Sequence, residues 1–155
     1  LDRLPTDVGM VGVYGWKTVP SSFNWHDSHD SYGCYEGLSV KDNSTRKIIG
    51  ELGFGQLTDV NILGGPVFAI RASMIPDILR VRILNGYVIG DDHIAAELSM
   101  FCHECRQRVC VMDTNVVTCI DYMDYVGSDD WEEDQINFVL RWQHRLPKLK
   151  DAPAL

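Results

Sequence analysis

An acidic doublet at the start of a helix-like stretch has the clearest chemical meaning in this chain. Asp91 and Asp92 follow Gly90 and directly precede His93. A carboxylate acts as a general base when it lies within about 2.6–3.2 Å of the hydroxyl that it deprotonates. Two adjacent acids also disfavour each other's ionisation, which separates their proton affinities. The alternative is a capping pair at an exposed helix start, where the helix dipole favours carboxylates.

A glycine pair precedes the doublet and suggests a surface against which a ligand can lie. Gly64 and Gly65 lead into an apolar run that ends at Arg71, and Gly90 follows nineteen residues later. Because glycine lets the backbone approach a ligand closely, the pair is a candidate acceptor-binding site. Arg71 either positions a carboxylate or hydroxyl of the acceptor or pairs with an acid at a helix start.

Aromatic and histidine side chains crowd into the stretch that follows the first predicted strand. They are Trp16, Phe23, Trp25, His26, His29, Tyr32 and Tyr35. Aromatic faces beside acidic groups suit a sugar ring, which offers apolar C–H faces and hydroxyl edges, and Trp25 is the candidate contact. A loop whose rings pack on one another is the alternative. His26 and His29 also have a spacing that could hold a metal ion.

The five cysteines raise the question of zinc. Cys102-His-Glu-Cys105 has the Cys-x-x-Cys spacing of structural zinc sites, with Cys110 and Cys119 further along. The first pair falls inside a predicted helix and the second pair is too widely spaced, which argues against zinc and for buried apolar thiols. The odd count, which includes Cys34, indicates a reducing compartment and predicts a cytoplasmic location. The sequon at Asn43 would matter only in a secretory lumen.

The glycine pair, the arginine and the acidic doublet follow one another along the chain. In this order they resemble the acceptor half of inverting GT-A glycosyltransferases, family 2-like, over roughly residues 8 to 120. The matching positions are Gly64, Gly65, Arg71, Asp91 and Asp92. The resemblance implies inverting transfer of a sugar from a nucleotide-sugar donor to a hydroxyl acceptor, with Asp92 as the general base. It also implies a divalent metal ion, Mn²⁺ or Mg²⁺, whose ligands are not in this chain.

The chain departs from that family in two respects. The nucleotide-binding half and its Asp-x-Asp motif should precede residue 1, where the sequence opens without an initiator Met or a leader. We therefore expect residues 1–155 to be a single domain or a fragment, with the missing half as a possible partner. Arg141-Trp142 resembles the Gln-x-x-Arg-Trp motif of the processive subgroup, but Phe138 replaces its Gln. Processive synthesis is therefore unsupported.

Composition narrows the alternatives. The 155 residues are 45% hydrophobic and 23% charged, as in ordinary soluble globular proteins. The net charge of -8 and the scattered basic residues argue against a nucleic-acid partner. No apolar run reaches the roughly 18 residues of a membrane span. Two other classes stay open: a non-catalytic carbohydrate- or protein-binding module that uses the aromatic stretch, and a small zinc-stabilised interaction domain.

Alternating and helical patterns predict the elements that position these residues. A long loop is expected from Gly15 to Gly37. The predicted strands are Val8–Tyr14, Leu38–Val40, Lys47–Leu52, Pro66–Arg71, Val109–Thr114 and Val116–Met123. The predicted helices run from Ala72 to Val81, from His93 to Arg106, and from a Ser128 cap to a stop at Pro147. The predicted fold class is α/β, a mixed β-sheet covered by helices that resembles the C-terminal half of a GT-A fold.

Overall fold

The computed structural model describes residues 4–18, 31–38, 45–49, 57–77, 93–112, 117–120 and 129–145. Within these ranges the chain forms a curled, mixed seven-stranded sheet with two α-helices and a short 3₁₀ turn. The strands are β1 Val8–Trp16, β2 Ser31–Leu38, β3 Thr45–Ile49, β4 Leu57–Asp59, β5 Ile62–Ile70, β6 Arg108–Met112 and β7 Val117–Ile120. The helices are α1 Ile94–Glu104 and α2 Asp129–Trp142, and the 3₁₀ turn is Ala72–Met74.

Strand β1 is the centre of the sheet, and all nine of its residues are buried. Strand β5 runs antiparallel along one edge, from the pair Met10–Ile70 to the pair Trp16–Ile62. Because β5 occupies that edge over most of its length, two other strands divide the opposite edge. Strand β6 pairs in parallel with the first half of β1, and β2 pairs antiparallel with its last three residues.

The sheet curls where β1 changes partners. Gly33 of β2 has a φ of 88°, and a Cβ atom there would lie 2.0 Å from the Val13 carbonyl oxygen. Only glycine fits this close approach in a left-handed conformation. Beyond Gly33, strand β2 pairs with β3 on one side and with β7 on the other. Strand β4 closes the far edge by pairing with β6.

Helix α1 covers the sheet, and α2 packs on α1. Ser99 and His103 of α1 bond to the Asn61–Leu63 segment at the start of β5. Helix α2 contributes Phe138 and Trp142 to the same core. The fully buried large side chains of that core are Met10, Ile62, Leu63, Met100, Phe101 and Phe138.

The predicted fold class is confirmed at the level of a mixed sheet with helices, and several elements lie close to their expected positions. Strand β1, helix α1 and strand β6 fall within two residues of the predicted bounds at most ends. The predicted loop from Gly15 to Gly37 is wrong in its last part, because Ser31–Leu38 is a strand whose glycines and polar residues hide the alternating pattern. The predicted helix from Ala72 begins as a 3₁₀ turn, and residues 78–81 lie outside the described residues.

Two predicted buried faces are also corrected. The apolar run predicts a buried strand over Pro66–Arg71, but β5 is only half-buried along 67–70, since Val67 is 39% exposed while Phe68 packs on the core. On α2, Ile136 and Leu140 are exposed, and Phe138 takes the inward position. The sequence predicts that this helix docks on a sheet through Trp131, Ile136, Val139, Leu140 and Trp142. Of these, Trp142 is buried and Val139 packs on the core as predicted, but the helix docks on the side chains of α1.

Candidate functional site around helix α1

Helix α1 begins directly after the acidic doublet, and one of its faces is tied to the strand that carries the glycine pair. The Leu63 amide donates to Ser99 Oγ at 3.0 Å, and this hydroxyl donates to the Ala95 carbonyl at 2.7 Å. One turn later, His103 Nε2 lies 2.8 Å from the Asn61 carbonyl oxygen and therefore acts as the donor. Residues four apart lie on the same face of a helix, so this pair fixes α1 along the start of β5.

The adjacent face of α1 is tied to helix α2 through residues at positions i, i+4 and i+8. The ring of His93 stacks on Phe138 with centroids 6.2 Å apart, and Phe101 meets Trp142 edge to face at 5.4 Å. Between these two ring contacts lies Glu97, which is 2% exposed. Helix α1 therefore joins the glycine-bearing strand to α2.

The Glu97 carboxylate contacts one charged and one polar side chain of α2. One carboxylate oxygen accepts from Trp142 Nε1 at 2.7 Å, and the other forms an ion pair with Arg141 Nη1. Burial raises the pKa of the Glu97 carboxyl above its ordinary value, while Trp142 and Arg141 oppose the shift. A buried carboxylate needs such partners, because removing an unpaired charge from water costs a large amount of free energy.

Gly64 lies against the indole of Trp16. A Cβ atom at Gly64 would meet Trp16 Cζ3 at 2.3 Å, so a larger residue would force the ring out of the core. The glycine pairs with Tyr14 in the sheet, at the point where β1 and β5 shift register. Close packing by the protein's own aromatic ring thus accounts for Gly64, and the backbone of Gly65 continues the same strand.

Arg71 ties the beginning of the described chain to the end of β5. Its Nε donates to the Val8 carbonyl at 3.0 Å and its Nη2 to the Pro5 carbonyl at 2.8 Å. The Arg71 amide also donates to the Gly9 carbonyl at 2.8 Å. In these contacts the guanidinium bonds to main-chain oxygens, which gives Arg71 a tethering role at the edge of the sheet.

Three predicted site residues, Asp91, Asp92 and Trp25, lie outside the described residues. Their nearest described neighbour is His93, which is 4% exposed and is the N-cap residue of α1. The His93 carbonyl accepts from the Glu97 amide at 2.8 Å, which closes the first turn of the helix. The doublet is thus joined by a single peptide bond to a residue that is buried and held at both its carbonyl and its ring.

Two of the described cysteines, Cys102 and Cys110, are protonated thiols at neutral pH. Burial raises the pKa of Cys102 to about 12, and burial together with a hydrogen bond to Asp59 does the same for Cys110. Metal ligation requires a thiolate. Within the described ranges, no three His, Cys, Asp or Glu side chains cluster closely enough to hold a metal ion.

A second polar cluster lies at the opposite edge of the sheet. Arg108 bonds to Asp59 at 2.9 Å and to Asp7 at 3.3 Å. The neighbouring carboxylates raise the pKa of this guanidinium. The cluster joins β4, β6 and the chain before β1, and its charges pair with one another.

Sequence reasoning missed Glu97 and Ser99. The expected apolar face of α1 was Ile94, Leu98 and Phe101, but Ile94 is 39% exposed and the polar pair is buried. A weak signal was present: small alanines precede Glu97, and Met100-Phe101-Cys102 follows Ser99. Polar residues flanked by buried residues on both sides indicate a helix with partners on two faces.

No family model matches this chain, and neither a curated protein nor a solved structure is significantly similar to it. In the described part of the chain, neither helix is long and apolar enough to cross a membrane.

Proposed function

We propose that this chain is the acceptor-side segment of an inverting glycosyltransferase, with Asp92 as the general base. The finer form of the fold assignment, the C-terminal half of a GT-A fold, is part of the same proposal. The observation that carries it is the double attachment of helix α1. The helix that begins directly after Asp92 is bonded to the glycine-bearing strand by Ser99 and to Arg141-Trp142 by Glu97.

The attachment supports the proposal because it joins segments that the sequence keeps far apart. Leu63, the neighbour of Gly64, and Ser99 are 36 residues apart, and Glu97 and Arg141 are 44 apart. A base must be held rigidly near its substrate, since misplacing it by about 1 Å can cost 10²-fold in rate. A helix fixed on two faces is a suitable support for a carboxylate that precedes it.

The proposed reaction is a single displacement. The acceptor oxygen attacks the anomeric carbon of the donor sugar while its proton passes to the Asp92 carboxylate. The bond between that carbon and the diphosphate oxygen breaks, and the nucleoside diphosphate leaves with the electron pair. The configuration at the anomeric carbon inverts, because attack and departure occur on opposite faces.

The proposal also specifies partners that the described residues do not contain. The donor would bind to a nucleotide-binding half outside this sequence, and Gly65 and Trp25 would contact the acceptor. Gly64 and Arg71 would support that surface indirectly, through packing on Trp16 and bonds to main-chain oxygens. A divalent metal ion would stabilise the leaving diphosphate when bound. The family resemblance assigns its ligands to that other half.

The test is sugar transfer by the protein at its full natural length. A panel of nucleotide-sugars would be screened for release of nucleoside diphosphate and for product with inverted anomeric configuration. Asp92→Asn should lower the rate by about 10²–10⁴-fold, the usual contribution of general base catalysis. The matched control is Asp129→Asn, which removes an exposed acid at the start of the other helix.

Each contrary outcome identifies a different error. An Asp92→Asn protein that transfers sugar at the original rate would exclude Asp92 as the base. Sugar binding without diphosphate release, lost in Trp25→Ala and kept in Asp92→Asn, would instead identify a binding module. A full equivalent of tightly held zinc would identify the zinc-stabilised domain.

A further inference from the structure

We infer that Glu97 is a positioning residue, which fixes His93 and the start of helix α1, the segment that follows the proposed base Asp92 in the sequence. The inference rests on the proposed function for its catalytic meaning. Its structural content rests on the contacts of Glu97, Arg141 and Trp142. Glu97 itself lies within the helix and is not assigned any proton transfer.

The first step of the argument is the position of Glu97 in the helix. Its amide closes the first turn of α1 by donating to the His93 carbonyl at 2.8 Å, and its side chain reaches α2 from the same residue. One residue therefore holds both the turn that follows Asp92 and the helix against which that turn packs. A shift of Glu97 relative to α2 would move the His93 peptide with it.

The second step is the geometry of the side-chain contact. The two carboxylate oxygens have different partners, the Arg141 guanidinium and the Trp142 indole N–H. Two donors on adjacent residues fix both the distance and the rotation of the carboxylate plane. The ring contacts His93–Phe138 and Phe101–Trp142 lie on either side and restrict sliding of α1 along α2.

The third step is the burial of the Glu97–Arg141 contact, compared with an apolar contact at the same place. A buried ion pair often contributes less than an apolar pair of the same size would, because both charges lose their hydration. A second pair of the same residue types, Glu104 of α1 with Arg145 of the turn that follows α2, has a separation of 3.0 Å and is largely exposed. Attachment of the helices alone does not require a buried charge, whereas fixed orientation does.

The experiment compares Glu97→Gln with its matched control, Glu104→Gln. Both changes remove one carboxylate charge from α1, which faces Arg141 of α2 in one case and Arg145 of the following turn in the other. Glutamine preserves the volume and one oxygen. We expect Glu97→Gln to lower kcat by about 10²-fold with the donor KM within about twofold, which is the signature of misorientation. Glu104→Gln should leave both constants unchanged. Arg141→Lys provides a second variant, which keeps the charge and loses the planar geometry of the guanidinium.

A second readout is independent of activity. The backbone amide resonances of His93 and Ile94 should shift in Glu97→Gln and in Arg141→Lys, and should stay in place in Glu104→Gln. If Glu97→Gln keeps the original kcat in a protein that transfers sugar, the inference fails and the proposed function stands. If the unmodified protein transfers no sugar, the proposed function fails, and the amide shifts alone decide whether Glu97 fixes the helix start. Unshifted resonances in both variants would overturn it.

Discussion

Two glutamate–arginine pairs join helix α1 to the segment formed by α2 and the turn that follows it, and the pairs differ in their exposure to water. Glu97 is 2% exposed and its partner Arg141 16%, whereas Glu104 is 26% exposed and Arg145 46%. Exposed pairs contribute about 0–1 kcal/mol, because water screens them and both side chains lose rotamer freedom. A buried pair has no competing water, but each charge must be compensated by its partner. We therefore expect the exposed glutamate–arginine pair to hold the two segments together weakly and the buried pair to fix their relative orientation.

The buried pair also differs in what surrounds it. Trp142 donates to Glu97 and packs on Phe101, so the carboxylate is part of the aromatic contact between the helices. The pair Glu104–Arg145 lies at the end of α1, where Arg145 belongs to the turn after α2. Disturbing the buried pair should therefore move the whole helix contact, while disturbing the exposed pair should affect the helix ends alone.

The largest expected effect is on stability when one buried partner is removed. Glu97→Ala should lower the free energy of unfolding by about 3–5 kcal/mol, because it removes the buried carboxylate that both the Arg141 guanidinium and the Trp142 N–H contact. Glu104→Ala should lower it by less than about 1 kcal/mol. Urea denaturation followed by circular dichroism measures both, and equal losses in the two variants would contradict the comparison.

A double variant separates loss of charge balance from loss of packing. Glu97→Met alone removes the carboxylate that faces Arg141, and Glu97→Met combined with Arg141→Met removes both charges of the pair. The double variant should be more stable than Glu97→Met, since apolar replacements of a buried pair are often neutral or stabilising. If the double variant is less stable than Glu97→Met, the ion pair itself stabilises the fold and orientation is not its main role.

The contrast between the pairs also shows what the sequence could and could not predict. Strand β1 and helix α1 were predictable, because a β-branched run and helical spacing are local patterns. The role of Glu97 was not, because its partners follow 44 and 45 residues later and glutamate is rarely buried. Local polarity predicted an exposed side chain, and tertiary pairing reversed that prediction.

A similar limit applies to the glycine pair. A ligand-facing backbone was predicted at Gly64, and the structure brings the Trp16 ring against it from 48 positions earlier in the chain. A glycine in the sequence indicates that some group approaches the backbone closely, but it does not identify that group. Whether an acceptor also reaches Gly65 stays a prediction, as do the roles of Asp91, Asp92 and Trp25, which lie outside the described residues.

The next largest expected effect is on the way the free energy of unfolding depends on pH. Burial raises the pKa of Glu97, against the opposing influence of Trp142 and Arg141 and with a further small rise from Asp134. A raised pKa means that the folded state holds the proton more tightly than the unfolded state does. The associated stability is complete below the ordinary value near 4.5 and is lost as the pH rises through the raised value.

Glu97→Gln should remove that pH dependence. The difference in unfolding free energy between the original protein and this variant should shrink as the pH rises from 4.5, and should then level off. Chemical denaturation at half-unit pH steps measures the difference, and a difference that grows with rising pH would contradict a raised pKa at Glu97.

The smallest expected effect concerns salt and separates the two pairs by screening alone. Raising the ionic strength from 0.01 M to 1 M shortens the Debye length from about 30 Å to about 3 Å, which weakens exposed charge pairs and leaves buried ones largely unscreened. A double-mutant cycle on Glu104 and Arg145 should give a coupling energy of a few tenths of a kcal/mol that falls towards zero with salt. The same cycle on Glu97 and Arg141 should keep its coupling energy. If the buried pair also loses its coupling in salt, water reaches the carboxylate, and Glu97 cannot fix the start of α1 in the way that its burial implies.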